Sequence, residues 1–232
     1  MSAQSRSYAN VAGGAPTTPD QLSKASPVQA TRPRQTSPNP AYTPKTTAQE
    51  DHVYVLTLLT SPSLSTPLNA LRERHFPRHL NRTAAHLTLF HALPHSQLTE
   101  ILVALKSCAG RTTPFRIETG KPFRMRRGVG ISVARGGPES RRIHRELREA
   151  WLDGLSEQDR GGWRPHWTVM NKEDEEQRVR EAYAEVEAWE GAKGWGVGLG
   201  LWRYEKGRWV WEREERFEEK NMGENGPEGK LE

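Results

Sequence analysis

Apolar positions along the chain change their period in a recurring order. His52-Val-Tyr-Val-Leu-Thr-Leu-Leu59 is dense in β-branched and aromatic residues and stops at Ser61-Pro62, which predicts a strand. Leu64, Leu68 and Leu71 then fall at helical spacing between Leu64 and Arg74, ahead of Pro77. Thr83 to Leu93 reads as a second strand. Leu98, Ile101, Leu102 and Leu105 mark an amphipathic helix from Ser96 to Cys108, closed by Gly110. Two strands follow, Phe115 to Thr119 and Phe123 to Ala134, with a turn expected at Gly120-Lys121. Pro138 to Leu155 carries Ile143, Leu147, Ala150 and Trp151 on one helical face. The order then repeats with strand Pro165 to Met170, helix Glu173 to Trp189, and strands Trp195 to Tyr204 and Arg208 to Phe217 around Lys206-Gly207. Two successive strand–helix–strand–strand units predict an α+β domain of two similar lobes.

Composition sharpens where this domain begins and ends. Only 34% of the 232 residues are hydrophobic, and the deficit is local. Residues 1–50 are rich in Pro, Ser and Thr and poor in large apolar groups, so they cannot bury enough surface to offset the entropy of ordering them. They are expected to be a disordered tail, with five basic and two acidic side chains. A transit peptide is compatible with the acid-poor start, yet its basic residues are sparse and no amphipathic helix is visible. The other end, 218–232, has five Glu against two Lys and is likewise expected to be disordered. Between them lies a domain at 51–217, which carries the whole formal charge of +5. That modest excess argues against tight non-specific nucleic-acid binding and favours a small nucleotide or a strand end.

Several classes are excluded. No apolar run approaches the ~20 residues that span a bilayer, so no membrane partner is expected. The single cysteine, Cys108, forms no internal disulfide and no Cys-x-x-Cys pair, so no sulfur-held metal is expected, and no cofactor is expected either. The reading is an intracellular protein, cytoplasmic or nuclear, monomeric and without an obligate protein partner.

The candidate chemistry lies in two short segments, His86-Leu87-Thr88-Leu89 and His166-Trp167-Thr168-Val169. Both read His, apolar, Thr, apolar. On a strand, alternation turns the His and the Thr to one face and the apolar pair to the other. The other six histidines, at 52, 75, 79, 91, 95 and 144, do not fit the pattern. Two imidazoles with pKa values near 6.5 can divide the work at neutral pH, one taking a proton while the other delivers one. The Thr88 and Thr168 hydroxyls can donate to the non-bridging oxygens of a phosphate between them. That suits in-line displacement at phosphorus with no metal. The plain alternative is a half-buried His satisfying a backbone partner, with Thr present for its β-propensity.

The paired motifs, 80 residues apart, resemble those of the two-histidine (2H) phosphoesterases, or 2′-5′ RNA ligase-like proteins. The resemblance covers most of 51–217 and extends to Val53 to Leu59, Pro114-Phe115-Arg116-Ile117, Phe123-Arg124-Met125 and Arg164-Pro165. It implies a bilobal α+β fold, with two pseudo-symmetric lobes of antiparallel sheet and flanking helices, the motifs facing each other across a central cleft. Family members open 2′,3′-cyclic phosphates or related cyclic phosphodiesters without metal, and some join or trim RNA ends. The resemblance implies that His86 and His166 are the acid–base pair and that Thr88 and Thr168 hold the phosphate. Which His is the base stays open. The implied substrate is a nucleotide or RNA end; a catalytically silent nucleotide- or RNA-binding module using the same cleft is the alternative. Trp167 is bulkier than the Val or Ile common at that position and is expected to point into the core.

Other features carry weaker expectations. Arg124 shares a strand face with Arg126, opposite Phe123 and Met125, and is a candidate to line the cleft and meet phosphate, with a solvated strand face the alternative. Lys172 is the nearest basic residue after the second motif and a candidate substrate contact. Gly196, Gly198 and Gly200 on one strand face imply close approach of a neighbour. Trp202, Trp209 and Trp211 are read as cross-strand packing rather than base stacking.

Overall fold

A computed structural model describes residues 40–218. The expected tails fall outside these residues except at 40–50 and Glu218. Residues 40–50, expected in the tail, are described and pack in part against the domain. Pro40–Tyr42 forms a short 3₁₀ turn, Pro44 is buried, and the Lys45 N–H donates to the Gly154 carbonyl at 3.0 Å. Composition missed this because the segment is held by a few specific contacts.

Strands β1 (Val53–Thr60) and β2 (Leu87–Pro94) flank helix α1 (Pro62–His75). Helix α2 (Leu98–Ala109), strands β3 (Phe115–Met125) and β4 (Gly128–Arg135), helix α3 (Gly137–Trp151) and the single turn α4 (Glu157–Arg160) follow. Strand β5 (His166–Met170), helix α5 (Glu176–Ala188) and strands β6 (Lys193–Glu205) and β7 (Arg208–Arg216) complete the order. The sheet runs β1-β2-β5-β4-β3-β6-β7, every registered pair is antiparallel, and β1 also pairs with β6. That extra pairing closes six strands into a ring. The α+β antiparallel expectation holds, with the two strand–helix–strand–strand units joined in one closed sheet.

The helices bury Leu64, Leu68 and Leu71 on α1, Ile101 and Leu105 on α2, Ile143 and Leu147 on α3, and Val179, Ala182 and Val186 on α5, whereas Ala150, expected on the α3 stripe, is exposed. These side chains meet Leu56, Leu58, Phe90, Ile131, Trp167 and Leu199 from the sheet in one hydrophobic core. Cys108 is buried there, which raises its thiol to about 11 and leaves it protonated. None of the helices among the described residues is long and apolar enough to cross a membrane.

One hairpin departs from expectation. β3 runs on through Gly120-Lys121, where the register with β4 shifts, and the chain turns instead at Arg126-Arg127. The Gly-Lys pair makes a bulge rather than the turn its composition suggests. The glycines of β6 do mark close approach: a Cβ on Gly198 would lie 2.7 Å from the Glu215 carbonyl oxygen of β7.

Candidate active site

The two His-x-Thr motifs meet where β2 pairs with β5. Leu87 is registered opposite Trp167, and both side chains are buried, at 0% and 1% exposure. Trp167 points into the core as expected. Continuing that antiparallel register by one residue each way sets His86 beside Thr168 and Thr88 beside His166, all four on the face opposite Leu87 and Trp167. The sequence repeat thus becomes a diagonal square with an imidazole at two opposite corners and a hydroxyl at the other two. His86 itself immediately precedes β2, which starts at Leu87 rather than at Thr83.

Both imidazoles are oriented by the same local device. His86 Nδ1 lies 2.7 Å from the Ala84 carbonyl, and His166 Nδ1 lies 2.9 Å from the Arg164 carbonyl, in each case two residues back. A carbonyl only accepts, so each Nδ1 carries the proton and each Nε2 is left for chemistry. Neither bond was visible in the sequence, where the only hint is the equal spacing of the carbonyls.

The strands part on either side of the Leu87–Trp167 pair, and side chains fill the gap. The Thr168 carbonyl accepts from the Arg72 guanidinium at 2.8 Å, and the Thr88 carbonyl accepts from the Trp163 indole N–H at 2.9 Å. Arg72 is 5% exposed, donates also to the Thr83 carbonyl at 3.0 Å and lies 3.9 Å over the Phe76 ring. Burial brings its guanidinium down to about 10, so it stays cationic at neutral pH. Among the described residues no carboxylate lies within 4 Å of it.

That environment acts on His86. Trp209 of β7 packs against the ring at 4.4 Å between centroids, and burial lowers the imidazole to about 4. The Ala84 carbonyl opposes the shift, while the charges of Arg72, His91 and His166 add to it. His86 is therefore neutral at pH 7, with its Nε2 lone pair free. Phe123 meets the His166 ring edge-on at 5.6 Å and sits directly over Gly130, where a Cβ would approach the ring to 2.5 Å.

A cleft of about 610 Å³ opens beside His166 and Thr88, walled by Phe123, Met125, Trp163 and His91. The expected contacts Arg124 and Lys172 are absent from its lining. Alternation along β3 gives the cleft to Phe123 and Met125 and turns Arg124 outward, where it pairs with Glu176 at 2.7 Å. Lys172 lies past the end of β5 with φ at 60° and lines a separate cleft with Arg74, Arg78 and Arg127. Trp202 meets Trp211 edge to face at 4.6 Å and Trp209 at 6.2 Å, as read from sequence, and Trp209 also packs on His86.

A closed antiparallel ring bearing paired His-x-Thr motifs defines a two-histidine phosphoesterase fold. A profile of the 2′-5′ RNA ligase superfamily matches residues 60–208, and the chain belongs to that superfamily. Solved structures share the fold. The Thermus thermophilus protein TT0787 is 18% identical at a TM-score of 0.54, covering 71% of this chain and 97% of that one. A structure described as a phosphoesterase is 13% identical at 0.51, covering 72% and 98%. Escherichia coli LigT complexed with 3′-AMP is 14% identical at 0.50, with the same coverage of 72% and 98%. No curated protein matches the sequence.

Proposed function

We propose that this phosphoesterase-family chain is a metal-independent phosphodiesterase that opens 2′,3′-cyclic phosphates, or related cyclic nucleotides and RNA ends. The observation that carries the reading is the Leu87–Trp167 pair, which sets both motifs side by side with their Nε2 atoms unclaimed. The phosphate sits over the square, with the Thr88 and Thr168 hydroxyls donating to its non-bridging oxygens. His86, neutral at pH 7, takes a proton from water through Nε2 as the water oxygen bonds to phosphorus. The opposite P–O bond breaks, and protonated His166 delivers its Nε2 proton to the leaving ribose oxygen. The product is a ribose phosphomonoester, and the two histidines have exchanged protonation states. LigT's 3′-AMP complex is compatible with a nucleotide of this size.

The test is hydrolysis of adenosine 2′,3′-cyclic phosphate in excess chelator by wild type, His86→Ala and His166→Ala. Turnover by wild type alone is expected. Loss of wild-type activity on chelation, or full activity in either variant, overturns the mechanism. Nucleotide affinity without product over long incubation identifies a binding module instead.

A further inference from the structure

The acid–base chemistry leaves one wall of the 610 Å³ cleft unused. On β2, Leu87 and Thr88 pair with Leu58 and Thr57 in one register, while Phe90 pairs with Leu56 after a shift. Leu89 is thus an extra residue, a bulge that re-aims the side chains beyond it. Strict alternation would give His91 the core-facing side of Leu87 and Leu89. With the bulge, Phe90 enters the core at 0% exposure, and His91 joins Thr88 on the cleft side with 35% of its side chain exposed.

His91 is also held in place. Asp159, with a side chain 1% exposed, accepts from the His91 backbone N–H at 2.9 Å and the Ala92 N–H at 2.9 Å, and lies 3.1 Å from His91 Nδ1. The Ser156 hydroxyl donates to it at 3.1 Å. Burial would raise the Asp159 carboxyl, but these donors outweigh it and keep the group below its usual range, hence ionised. A carboxylate only accepts, so Nδ1 donates to it and Nε2 is the free nitrogen. The Tyr42 and His91 rings meet edge to face with centroids 6.1 Å apart.

The surrounding wall is apolar and partly flat. Phe123 and Trp163 offer ring faces or edges with Met125 beside them, a lining suited to a planar heterocycle. Thr88 and His91 lie three positions apart with the bulge between them, about 7 Å along the strand at ~3.3 Å per paired position. A group esterified to a phosphate at Thr88 therefore extends along the strand to His91. We infer that His91, fixed by Asp159, is a specificity-determining residue whose Nε2 hydrogen-bonds the nucleoside moiety of the substrate between Phe123 and Trp163. This rests on the cyclic-phosphate reading of the site.

The experiment compares kcat/KM for adenosine 2′,3′-cyclic phosphate and for glycerol 1,2-cyclic phosphate, which has no base, in wild type and His91→Ala. The preference for the nucleotide is expected to fall at least about tenfold in the variant, mainly through KM. An unchanged preference, including equal loss on both substrates, overturns the inference. A second measurement needs no variant. The His91 Cε1–H resonance of wild type is followed during titration with adenosine 2′,3′-cyclic phosphate and, separately, with inorganic phosphate. Movement with the nucleotide alone supports the inference, and a resonance unmoved by the nucleotide overturns it. If wild type turns over neither substrate, the cyclic-phosphate reading fails while this titration still decides whether His91 contacts a nucleoside.

Discussion

The Arg72 guanidinium and the Thr168 carbonyl, 2.8 Å apart, tie helix α1 to the second motif strand, β5. Removing the guanidinium leaves the Thr168 and Thr83 carbonyls without that donor in a buried setting. Arg72→Met is expected to cost about 1–3 kcal/mol of stability and to lower kcat, with Arg72→Lys recovering part of both. Thermal unfolding and steady-state kinetics of the two variants check this.

Trp167 fills the core beneath the seam, among the largest fully buried side chains of the described residues. Trp167→Ala is expected to destabilise the fold by about 3–5 kcal/mol. Urea denaturation measures it, and an unchanged midpoint would remove Trp167 from the core.

Two histidines make stability depend on pH. His144 stacks between Phe90 and Trp163 at 4.7 and 4.5 Å, and burial lowers it, like His86, to about 4. In the unfolded chain both titrate near 6.5. Between pH 6.5 and 4 the unfolded state therefore binds up to about two protons that the folded state refuses. This histidine contribution is complete above 6.5 and is lost as pH drops through the window; below it, protonation of Asp159, whose carboxyl the fold holds below its usual range, continues the fall. Urea unfolding at stepped pH should show this slope, and His144→Phe should flatten it by about half.

Under the proposed mechanism the same shift in His86 sets the acid limb of turnover. Activity is expected to hold as pH falls from 7 and to drop only near 4, where the base becomes protonated. A kcat/KM profile whose acid limb lies near 6.5 would contradict the environment described for His86.

Gly130→Ala should push the Phe123 ring off His166, because the new Cβ would lie inside its contact distance. Phe123 is 36% exposed and has room to move, so the expected result is several-fold weaker kcat/KM with little change in thermal midpoint.

The element order and the four motif residues were legible because each depends on short-range pattern. A helix stripe or a His-x-Thr segment is a property of neighbours in sequence. His91 was not legible because one extra residue at Leu89 reverses which side of the strand it occupies, and the shift shows only against β1. Arg124 illustrates a different limit. Alternation correctly separated it from Phe123 and Met125, but which side faces the cleft follows from how the sheet closes. The hairpin turn at Arg126-Arg127 carries no Gly, Pro or Asn, whereas Gly120-Lys121 has turn composition and forms a bulge. Asp159 sits on a four-residue helix with no apolar periodicity to announce it.

A ring of strands is only as tight as its narrowest joint. Around most of this one, neighbouring strands share several registered pairs, whereas β2 and β5 share Leu87–Trp167 alone. The clasp of the bracelet is thus the place where the two motifs touch. Arg72 and Trp163 fasten what the backbone leaves open there, so the spacing of the His and Thr side chains hangs on two side chains rather than on a ladder of backbone bonds.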